Sequence, residues 1–373
     1  MRLVLHREIP DDNILAHQWN ELVHQMECPE VFYTYEWSLA ASRAYRASIT
    51  PLLILAYEQG SLVGVASLAT DKGQAGTFFL AGTTADYCDF VSSPELRQEL
   101  VTGVLAELRM LGMSMLVLPN LPADSATARA LASSADFRGY NLLSQTAFQC
   151  AQVLLRTTEQ RELVRRSMRH KRERRYLKAL AAQVPVVVDH LRSSDQIASA
   201  LPSFTETHVA RFSAIGRTSN LDSPQRVNFL SELTKLLSPH GWITLSQLRA
   251  GEHPIAWQYA FRFARHCSFY QTTFDSSFRE YSPGFSLILR LIEEACDCSD
   301  TDCVDLGLGG EDYKKRLATA TRETLHVTLA RSTVTYLRLA ARYHAAAAIK
   351  TSPRLEHYVR RVLGRPSTGN VRA

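Results

Sequence analysis

The chain has 373 residues, of which 46% are hydrophobic and 21% are charged, and its formal net charge is +5. This length is comfortable for two domains, and the composition is that of an ordinary soluble globular protein. No apolar run approaches the roughly 18 to 20 residues that cross a bilayer, and the N-terminal residues lack the apolar core of a signal peptide. The seven cysteines include no Cys-x-x-Cys pair, which favours a reducing cytoplasm.

The charge is unevenly distributed. Residues 1–155 contain 9 Lys and Arg against 16 Asp and Glu, residues 161–178 contain 9 against 2, and residues 331–373 contain 9 against 1. An acidic first half is therefore followed by a basic joint and, at the end, by a basic tail.

The basic joint, Glu162 to Ala182, consists of good helix formers and predicts a helix. Two interpretations stay open: a solvated helix, or a surface whose arginines bind an anionic partner, because guanidinium groups match phosphates and carboxylates. The first interpretation buries four side chains: Leu163, Met168, Leu177 and Leu180. The joint lacks the interleaved aromatics of a base-stacking surface, so nucleic acid is not the favoured partner.

The basic tail predicts a helix over 335–349, a break at Pro353, a short helix over 355–363 and disorder from Arg365 to Ala373. The first helix either docks its apolar face onto a domain or is drawn to an anionic membrane surface. The second alternative makes the protein peripheral to the inner face of the cell membrane.

Both halves predict the same order of elements: two helices, a hairpin, a strand, a helix and a strand. In the first half, which opens with a strand over 2–5, they lie at 14–26, after 30–37, at 52–57 with 62–68, near 78–80, at 94–110 and at 115–118. In the second half they lie at 197–212, 225–237, 242–248 with 255–263, 267–273, 284–296 and 303–306. We therefore expect two α/β domains of similar topology on mixed sheets, 1–155 and 156–334, followed by the helical tail 335–373.

The segment from Tyr270 to Lys315 carries most of the functional information. It predicts a strand, a Pro-Gly loop, a helix, a strand, a glycine-rich turn and the start of a second helix. Ser282, Pro283 and Gly284 directly precede an apolar helical run, and the free backbone N–H groups of a helix start attract anions. The pattern predicts a site for a phosphorylated cofactor.

A series of short motifs extends over nearly the whole chain. They are Val31 to Trp37, Leu62 to Gly64, Asp86 to Asp89, Ser167 to Arg172, His208 with Arg211 and Phe212, Ile255 with Ala256, Phe274 with Asp275, Ser282 to Gly284, and Asp305 to Lys314. In this order and spacing they resemble the GNAT-type acyltransferases of the CelD/BcsL kind, which are associated with cellulose and exopolysaccharide biosynthesis.

The resemblance implies two tandem GNAT-like domains with mixed, mostly antiparallel sheets, an arrangement shared with the FemABX-type peptidoglycan aminoacyltransferases. It also implies acyl transfer from acetyl-CoA or another acyl-CoA to an amine or hydroxyl of a small molecule or of a glycan or envelope precursor. In GNAT folds the donor's pyrophosphate lies at the start of the helix that follows the fourth strand. The donor-binding residues implied here are Tyr281, Ser282, Pro283, Gly284, Phe285, Ser286 and Lys314.

Acyl transfer to an amine needs a base for the amine proton and an acid for the leaving thiolate. Tyr313 stands where GNAT enzymes often hold the acid, and Asp305 and Glu311 are the candidate bases. Each has a structural alternative. Tyr313 is then a half-buried packing residue, Asp305 caps the following turn, Glu311 complements the first turn of a helix, and Lys314 is a surface lysine.

Candidate substrate-binding residues come from both halves. His208 and Arg211 lie three residues apart on one predicted helix and share a face. They could form a carboxylate-binding or acid/base pair at the domain interface, although a lone histidine is also a common structural residue. Asp275 orients substrate or only ends its strand. Asp86 and Asp89 lie on a loop at a strand end and could add polar contacts.

No metal site is expected, because Cys296, Cys298 and Cys303 lack the paired spacing of structural zinc ligands. Two other functions stay open beside the acyl-CoA-dependent one. The first is a FemABX-like aminoacyltransferase in which residues 161–178 contact an RNA-linked donor. The second is a catalytically silent GNAT-like scaffold protein in polysaccharide assembly.

Overall fold

The computed structural model describes residues 1–71, 76–133, 139–168, 176 and 178–351. The strands are β1 (Arg2–His6), β2 (Ile49–Glu58), β3 (Ser61–Asp71), β4 (Gly76–Phe79), β5 (Val91–Ser92), β6 (Met115–Pro122), β7 (Asn141–Leu154), β8 (Val186–Leu191), β9 (Ile243–Ala250), β10 (His253–Phe263), β11 (His266–Phe274), β12 (Cys303–Asp305) and β13 (Ala320–Ala330). The helices are α1 (Asn13–His24), α2 (Tyr35–Ala44), α3 (Arg97–Met110), α4 (Ala126–Ser133), α5 (Thr158–Ser167), α6 (Ser194–Ala214), α7 (Pro224–Leu237), α8 (Pro283–Asp297), α9 (Asp312–Leu317) and α10 (Thr333–Thr351).

These strands form one sheet in the order β1-β2-β3-β4-β6-β13-β7-β12-β11-β10-β9-β8, with β5 paired to β3. At one end β1 to β4 are antiparallel and β4 pairs parallel to β6. At the other end β8 to β11 are antiparallel and β11 pairs parallel to β12. The two ends therefore repeat one strand order, which confirms the predicted α/β fold with mixed, mostly antiparallel pairing.

The two copies are joined by an exchange of strands in the middle of the sheet. Strand β7, which follows the first copy along the chain, pairs with β12 of the second copy. Strand β13, which follows the second copy, pairs with β6 of the first copy and, along its whole length, with β7. The sequence patterns do not predict either strand. Strands from before and after residue 155 belong to the same sheet. The domain limits at 155 and 334 stay a prediction.

A shared aromatic core also connects the two halves. Trp37 on α2 is fully buried, and its ring centroid lies 5.4 Å from that of Phe229, 5.1 Å from that of Phe261 and 5.6 Å from that of Tyr270, all in edge-to-face geometry. Its indole N–H donates to Thr84 Oγ1 at 3.1 Å. Since Trp37 comes from the first half and its three ring neighbours from the second, burial of these rings favours the two halves packed together.

Helix α8 begins as the sequence predicts. Ser282 precedes it in the left-handed conformation, at φ 49°, and Pro283 occupies its first position, where the missing proline N–H costs no hydrogen bond. Its inward face is apolar and buried against β10 and β11: Leu287, Ile288, Leu291, Ile292 and Ala295. A Cβ atom on Gly284 would lie 3.0 Å from Phe274 Cδ1, so a larger residue here would push the Phe274 ring away from the helix start.

The start of the basic joint forms α5, whose arginines turn toward the C-terminal end of α8. Arg161 donates to four backbone carbonyl oxygens there, those of Ala295, Cys296, Cys298 and Thr301, at 2.7 to 3.2 Å. Arg165 donates to the Asp297 carboxylate at 2.7 Å. The last carbonyls of a helix lack the usual N–H donor four residues further along the chain, and a cation favours the negative end of the helix dipole. Arg161 and Arg165 are therefore engaged within the protein.

This orientation corrects one predicted contact of the joint. Leu163 is 60% exposed, so the expectation that it is buried is wrong. Arg161, Val164 and Met168 occupy the inward face instead, at helical spacing, and Met168 and Leu180 are buried as predicted. Leu177 and residues 169–175 lie outside the described residues.

Helix α10 confirms the predicted helix of the tail and contacts β7 and β13. Leu337 and Val334 on it are 57% and 58% exposed. The elements predicted beyond Thr351 lie outside the described residues. Within the part of the chain that the structure describes, no helix is both long enough and apolar enough to span a bilayer.

Candidate active site

Two arginines and two aromatic rings surround the start of α8. The Arg211 guanidinium lies 4.5 Å from the centre of the Phe274 ring, against which Gly284 packs, and donates to the Thr272 carbonyl at 3.2 Å. The Arg316 guanidinium lies 5.4 Å from the centre of the Phe285 ring. The N-terminal end of a helix carries a partial positive charge. Together with these two cations it forms a region that favours an anion such as a phosphate.

Tyr313 borders the same region. Its ring lies 6.0 Å from the Phe285 ring in edge-to-face geometry. Burial raises the pKa of the Tyr313 phenol, the Glu311 carboxylate raises it further, and the Arg211 guanidinium opposes both. The phenol is therefore protonated at neutral pH and available as a hydrogen-bond or proton donor. The structure thus brings together four predicted features: Tyr313, Glu311, Arg211 and the helix start.

Lys314 is buried rather than on the surface, with 6% of its area exposed. Its ammonium group donates to the Leu308 carbonyl and, at 3.4 Å, to the Gly307 carbonyl, and lies 3.2 Å from the Glu311 carboxylate. The ammonium group thus holds the glycine-rich turn to α9. Its predicted role as a donor-phosphate ligand stays a prediction.

Asp305 lies at the end of β12 with both carboxylate oxygens hydrogen-bonded. Oδ2 accepts from the Tyr87 hydroxyl at 2.6 Å and from Gln152 Nε2 at 2.8 Å, and Oδ1 accepts from the Gly307 N–H at 2.7 Å. Burial raises the pKa of the Asp305 carboxyl. The geometry matches the alternative in which Asp305 caps the following turn, and Tyr87 brings in a group from the first half.

Asp86 approaches the same turn from the first half. Its carboxylate accepts from the Leu308 N–H, and burial, followed by the repulsion of Asp305, raises the pKa of Asp86 to about 7. A Cβ atom on Gly307, where φ is +75°, would lie 2.7 Å from the Phe269 carbonyl oxygen and 3.0 Å from the Asp86 carboxylate. The turn can therefore pass between them only with glycine at this position.

A cavity of about 450 Å³ opens between the two halves of the molecule. Its lining is both apolar and polar: Tyr45, Ser48, Ile49, Asp71, Phe78, Leu80 and Thr83 from the first half, and Asn220, Ser223 and Arg226 from the second. Arg226 is 8% exposed, donates to the Thr83 carbonyl at 3.3 Å and contacts the Tyr270 hydroxyl. A volume of this size accommodates a small-molecule substrate or part of a larger one.

Arg226 is not among the residues predicted from the sequence, although its position carries a signal. It stands four and seven residues before Leu230 and Leu233, on the buried face of α7. A charged residue at an apolar position of a helix usually has a buried partner or a ligand.

Three predicted substrate-binding residues have local structural contacts. His208 Nδ1 lies 2.8 Å from Ser219 Oγ, and burial lowers the pKa of His208 to about 4. The Asp89 carboxylate is buried at 3.1 Å from Arg97 Nη1. Asp275 Oδ1 accepts from the N–H group of Ser277 at 2.9 Å and so caps the turn before α8. Their predicted contacts with substrate stay predictions.

A comparison with known protein families gives a match within the second half of the chain. Residues 165–315, less than half of the chain, match the family described as acetyltransferase (GNAT) domain. This stretch contains the start of α8, Arg211 and Tyr313. A comparison with curated protein sequences gives no match.

Three solved structures are similar along nearly their whole length. FemX is 10% identical with a TM-score of 0.64, covering 91% of this chain and 99% of its own. A conserved protein of unknown function from Bacteroides thetaiotaomicron is 9% identical with a TM-score of 0.54, covering 88% and 100%. L-PGS from Bacillus licheniformis is 9% identical with a TM-score of 0.53, covering 89% and 94%.

Identities this low concern the fold alone. The sheet order, the matched family and these structures together define a GNAT acyltransferase fold. The two copies of one strand order fit the predicted tandem arrangement.

Proposed function

We propose that the protein transfers an acyl group from acetyl-CoA or another acyl-CoA to an amine or hydroxyl acceptor. The observation that carries this proposal is the convergence of the α8 start, Arg211, Arg316 and Tyr313 on one region. In this arrangement the helix start and the two guanidinium groups bind the donor's phosphates. The thioester then lies toward the turn that follows β12.

The acceptor occupies the cavity between the halves in this proposal. Its nucleophile attacks the thioester carbonyl carbon, the carbon–sulfur bond breaks, and Tyr313 gives its phenolic proton to the leaving thiolate. Glu311 is the better placed of the two candidate bases, because it is exposed beside Tyr313. Asp305 uses both oxygens within the protein, and so it positions the turn.

A thermal-shift titration with acetyl-CoA, longer acyl-CoAs and free CoA tests donor binding. We expect Tm to rise as the concentration of a bound compound is increased, because a ligand that binds only the folded state stabilises it. Gly284→Leu should remove the shift by displacing the helix start. Gly103→Leu is the matched control, since a Cβ at Gly103 would also meet a side chain, Leu3, at 3.1 Å. No shift with any of the three compounds would exclude the coenzyme A donor.

Aminoacyl transfer from an RNA-linked donor is the alternative enzyme function. The observations in its favour are the fold likeness to FemX and L-PGS and the net charge of residues 161–178. RNA that co-purifies and dissociates steeply with rising salt would favour it over the acyl-CoA reaction. A catalytically silent scaffold protein would show neither RNA binding nor a thermal shift with acyl-CoA.

The acceptor in this proposal is a glycan or envelope precursor, which follows from the resemblance to the CelD/BcsL acyltransferases. Helix α10 offers a contact with an anionic membrane surface, because the exposed Val334 and Leu337 lie beside Arg338 and Arg342 on its outer face. Co-sedimentation with anionic but not zwitterionic vesicles tests this contact. Equal sedimentation of an Arg338→Glu, Arg342→Glu variant would contradict it.

A further inference from the structure

Three metal-ligating side chains lie together at a junction of the two halves. The ligand atoms of Cys28, Glu30 and His266 all lie within 4.8 Å of one another. Cys28 and Glu30 precede the 3-10 turn Val31–Tyr33 of the first half, whereas His266 opens β11 of the second half. None of the three takes part in the proposed acyl transfer.

We propose that Cys28, Glu30 and His266 bind one Zn²⁺ ion that ties the two halves together. Thiolate, carboxylate and imidazole are the three ligand types that zinc uses in proteins, and three protein ligands leave a fourth position for water. This inference does not depend on the proposed acyl transfer. It departs from the expectation, based on other cysteines, that the protein holds no metal.

The charges around the cluster favour a divalent cation. Glu30 is 2% exposed and accepts from Arg322 Nη1 at 2.7 Å, and Arg322 Nε also donates to Asp124 at 3.2 Å. Glu30 and Asp124 together carry one negative charge more than the guanidinium they share. Zinc binding displaces the thiol proton of Cys28, and a single Zn²⁺ then neutralises the thiolate and the remaining carboxylate charge. The neighbouring carboxylate of Glu27 has arginine partners of its own.

The distances require only small side-chain movements. Zinc bonds of about 2.0 to 2.3 Å place the ligand atoms of a tetrahedral site about 3.3 to 3.7 Å apart. His266 Nδ1 already lies 3.6 Å from Glu30 Oε1. The Arg322 guanidinium, fixed at 4.6 Å from the centre of the Tyr87 ring, then holds the Glu30 carboxylate in place through its hydrogen bond, as partners of metal ligands do.

The test uses the full chain, stripped with a chelator and titrated with Zn²⁺ and with Co²⁺ as a spectroscopic probe. We expect one metal ion per chain by elemental analysis, a thiolate-to-cobalt charge-transfer band, and a Tm that rises with Zn²⁺. Cys28→Ser should abolish the band, and Cys28→Ser and His266→Gln should each weaken zinc affinity at least tenfold. Cys298→Ser, another partly exposed cysteine, is the matched control and should bind like the parent protein.

A wild-type chain that shows no cobalt–thiolate band and retains no zinc would overturn the proposal, and the cluster would then be an ion-pair network alone. Zinc binding that survives both Cys28→Ser and His266→Gln would also overturn it. The cobalt band is measured on the unmodified chain, so the proposal can fail even where a variant does not fold.

Discussion

Asp86 and Asp305 come from different halves and meet beneath one glycine-rich turn. Asp305 accepts hydrogen bonds from three donors, the Tyr87 hydroxyl, Gln152 and the Gly307 N–H. These bonds stabilise its ionised form. Asp86 is buried, and burial, followed by the repulsion of Asp305, raises its pKa to about 7. Two close carboxyl groups in a buried site resist being ionised together. Asp86 is therefore the member of the pair that gains its charge near neutral pH.

The titration of Asp86 predicts how stability changes with pH. Its carboxyl has an ordinary pKa of 3.8 and a folded-state pKa of about 7. The contribution of Asp86 to the free energy of unfolding is therefore fully present below pH 3.8, and it is lost as the pH rises through 7. The slope can reach about 1.4 kcal/mol per pH unit. Urea denaturation from pH 4 to 8 should show this fall in the parent protein and a flatter profile in Asp86→Asn. Equal slopes would contradict the assignment.

Tyr313→Phe tests the proposed acid. The variant keeps the ring against Phe285 but loses the proton donor, so we expect kcat to fall by about 10² to 10⁴ while the affinity for acyl-CoA stays the same. Single-turnover assays and a donor titration measure the two quantities separately. Tyr57→Phe, a tyrosine on β2, provides a control that should leave both unchanged. If kcat is unchanged in Tyr313→Phe, Tyr313 is not the acid.

Helix α8 depends on α5 for its C-terminal end. Arg161→Ala removes four hydrogen bonds to backbone carbonyl oxygens at this end, and we expect the free energy of unfolding to fall by about 1 to 3 kcal/mol. Arg166→Ala on the same helix is the matched control. Among the described residues Arg166 forms an exposed pair with Glu162 at 3.2 Å, a kind of pair that contributes about 0.3 to 0.5 kcal/mol. Urea midpoints of the two variants measure the difference, and equal shifts would show that the carbonyls find other partners.

The elements that could be predicted are those whose start, end and buried face are all marked in their own sequence. Helix α8 has Ser282 and Pro283 at its start and an apolar face, and the β2–β3 hairpin has Gly60 at its turn. Strand β7 mixes Gln, Thr and Ser with apolar residues, and β13 mixes Thr, Arg, Glu and His with them. The two strands are fixed by each other over eleven residue pairs. A strand stabilised by a partner about 180 residues away is a tertiary effect that local patterns do not contain.

The candidate site also has features that the sequence predicts and contacts that it does not. The helix start at Ser282 to Gly284 and the position of Tyr313 follow from local order and from a family resemblance. The pairing of Tyr87 with Asp305 and the insertion of Arg226 between the halves join residues 143 to 218 positions apart. Neither contact has a counterpart in sequence spacing, so both require the folded chain.

The exchange of β7 and β13 makes the whole molecule interdependent. Residues 1–155 alone would leave β6 without β13 and would leave β7 without both of its neighbours. We expect this fragment to be insoluble when expressed by itself, because unpaired strand edges promote aggregation. Co-expressed with residues 156–373 it should form a soluble complex. A fragment 1–155 that is monomeric and unfolds cooperatively would instead establish the predicted domain limit at 155.

The same exchange has a consequence for synthesis on the ribosome. Strand β6 ends at Pro122 and its partner β13 begins at Ala320, so about 200 further residues must be translated before the gap in the sheet can be filled. At about 5 to 20 residues per second this leaves the nascent first half incomplete for about 10 to 40 s. During that time β6 and β7 present open edges, and chaperone binding to the nascent chain should persist until β13 has emerged.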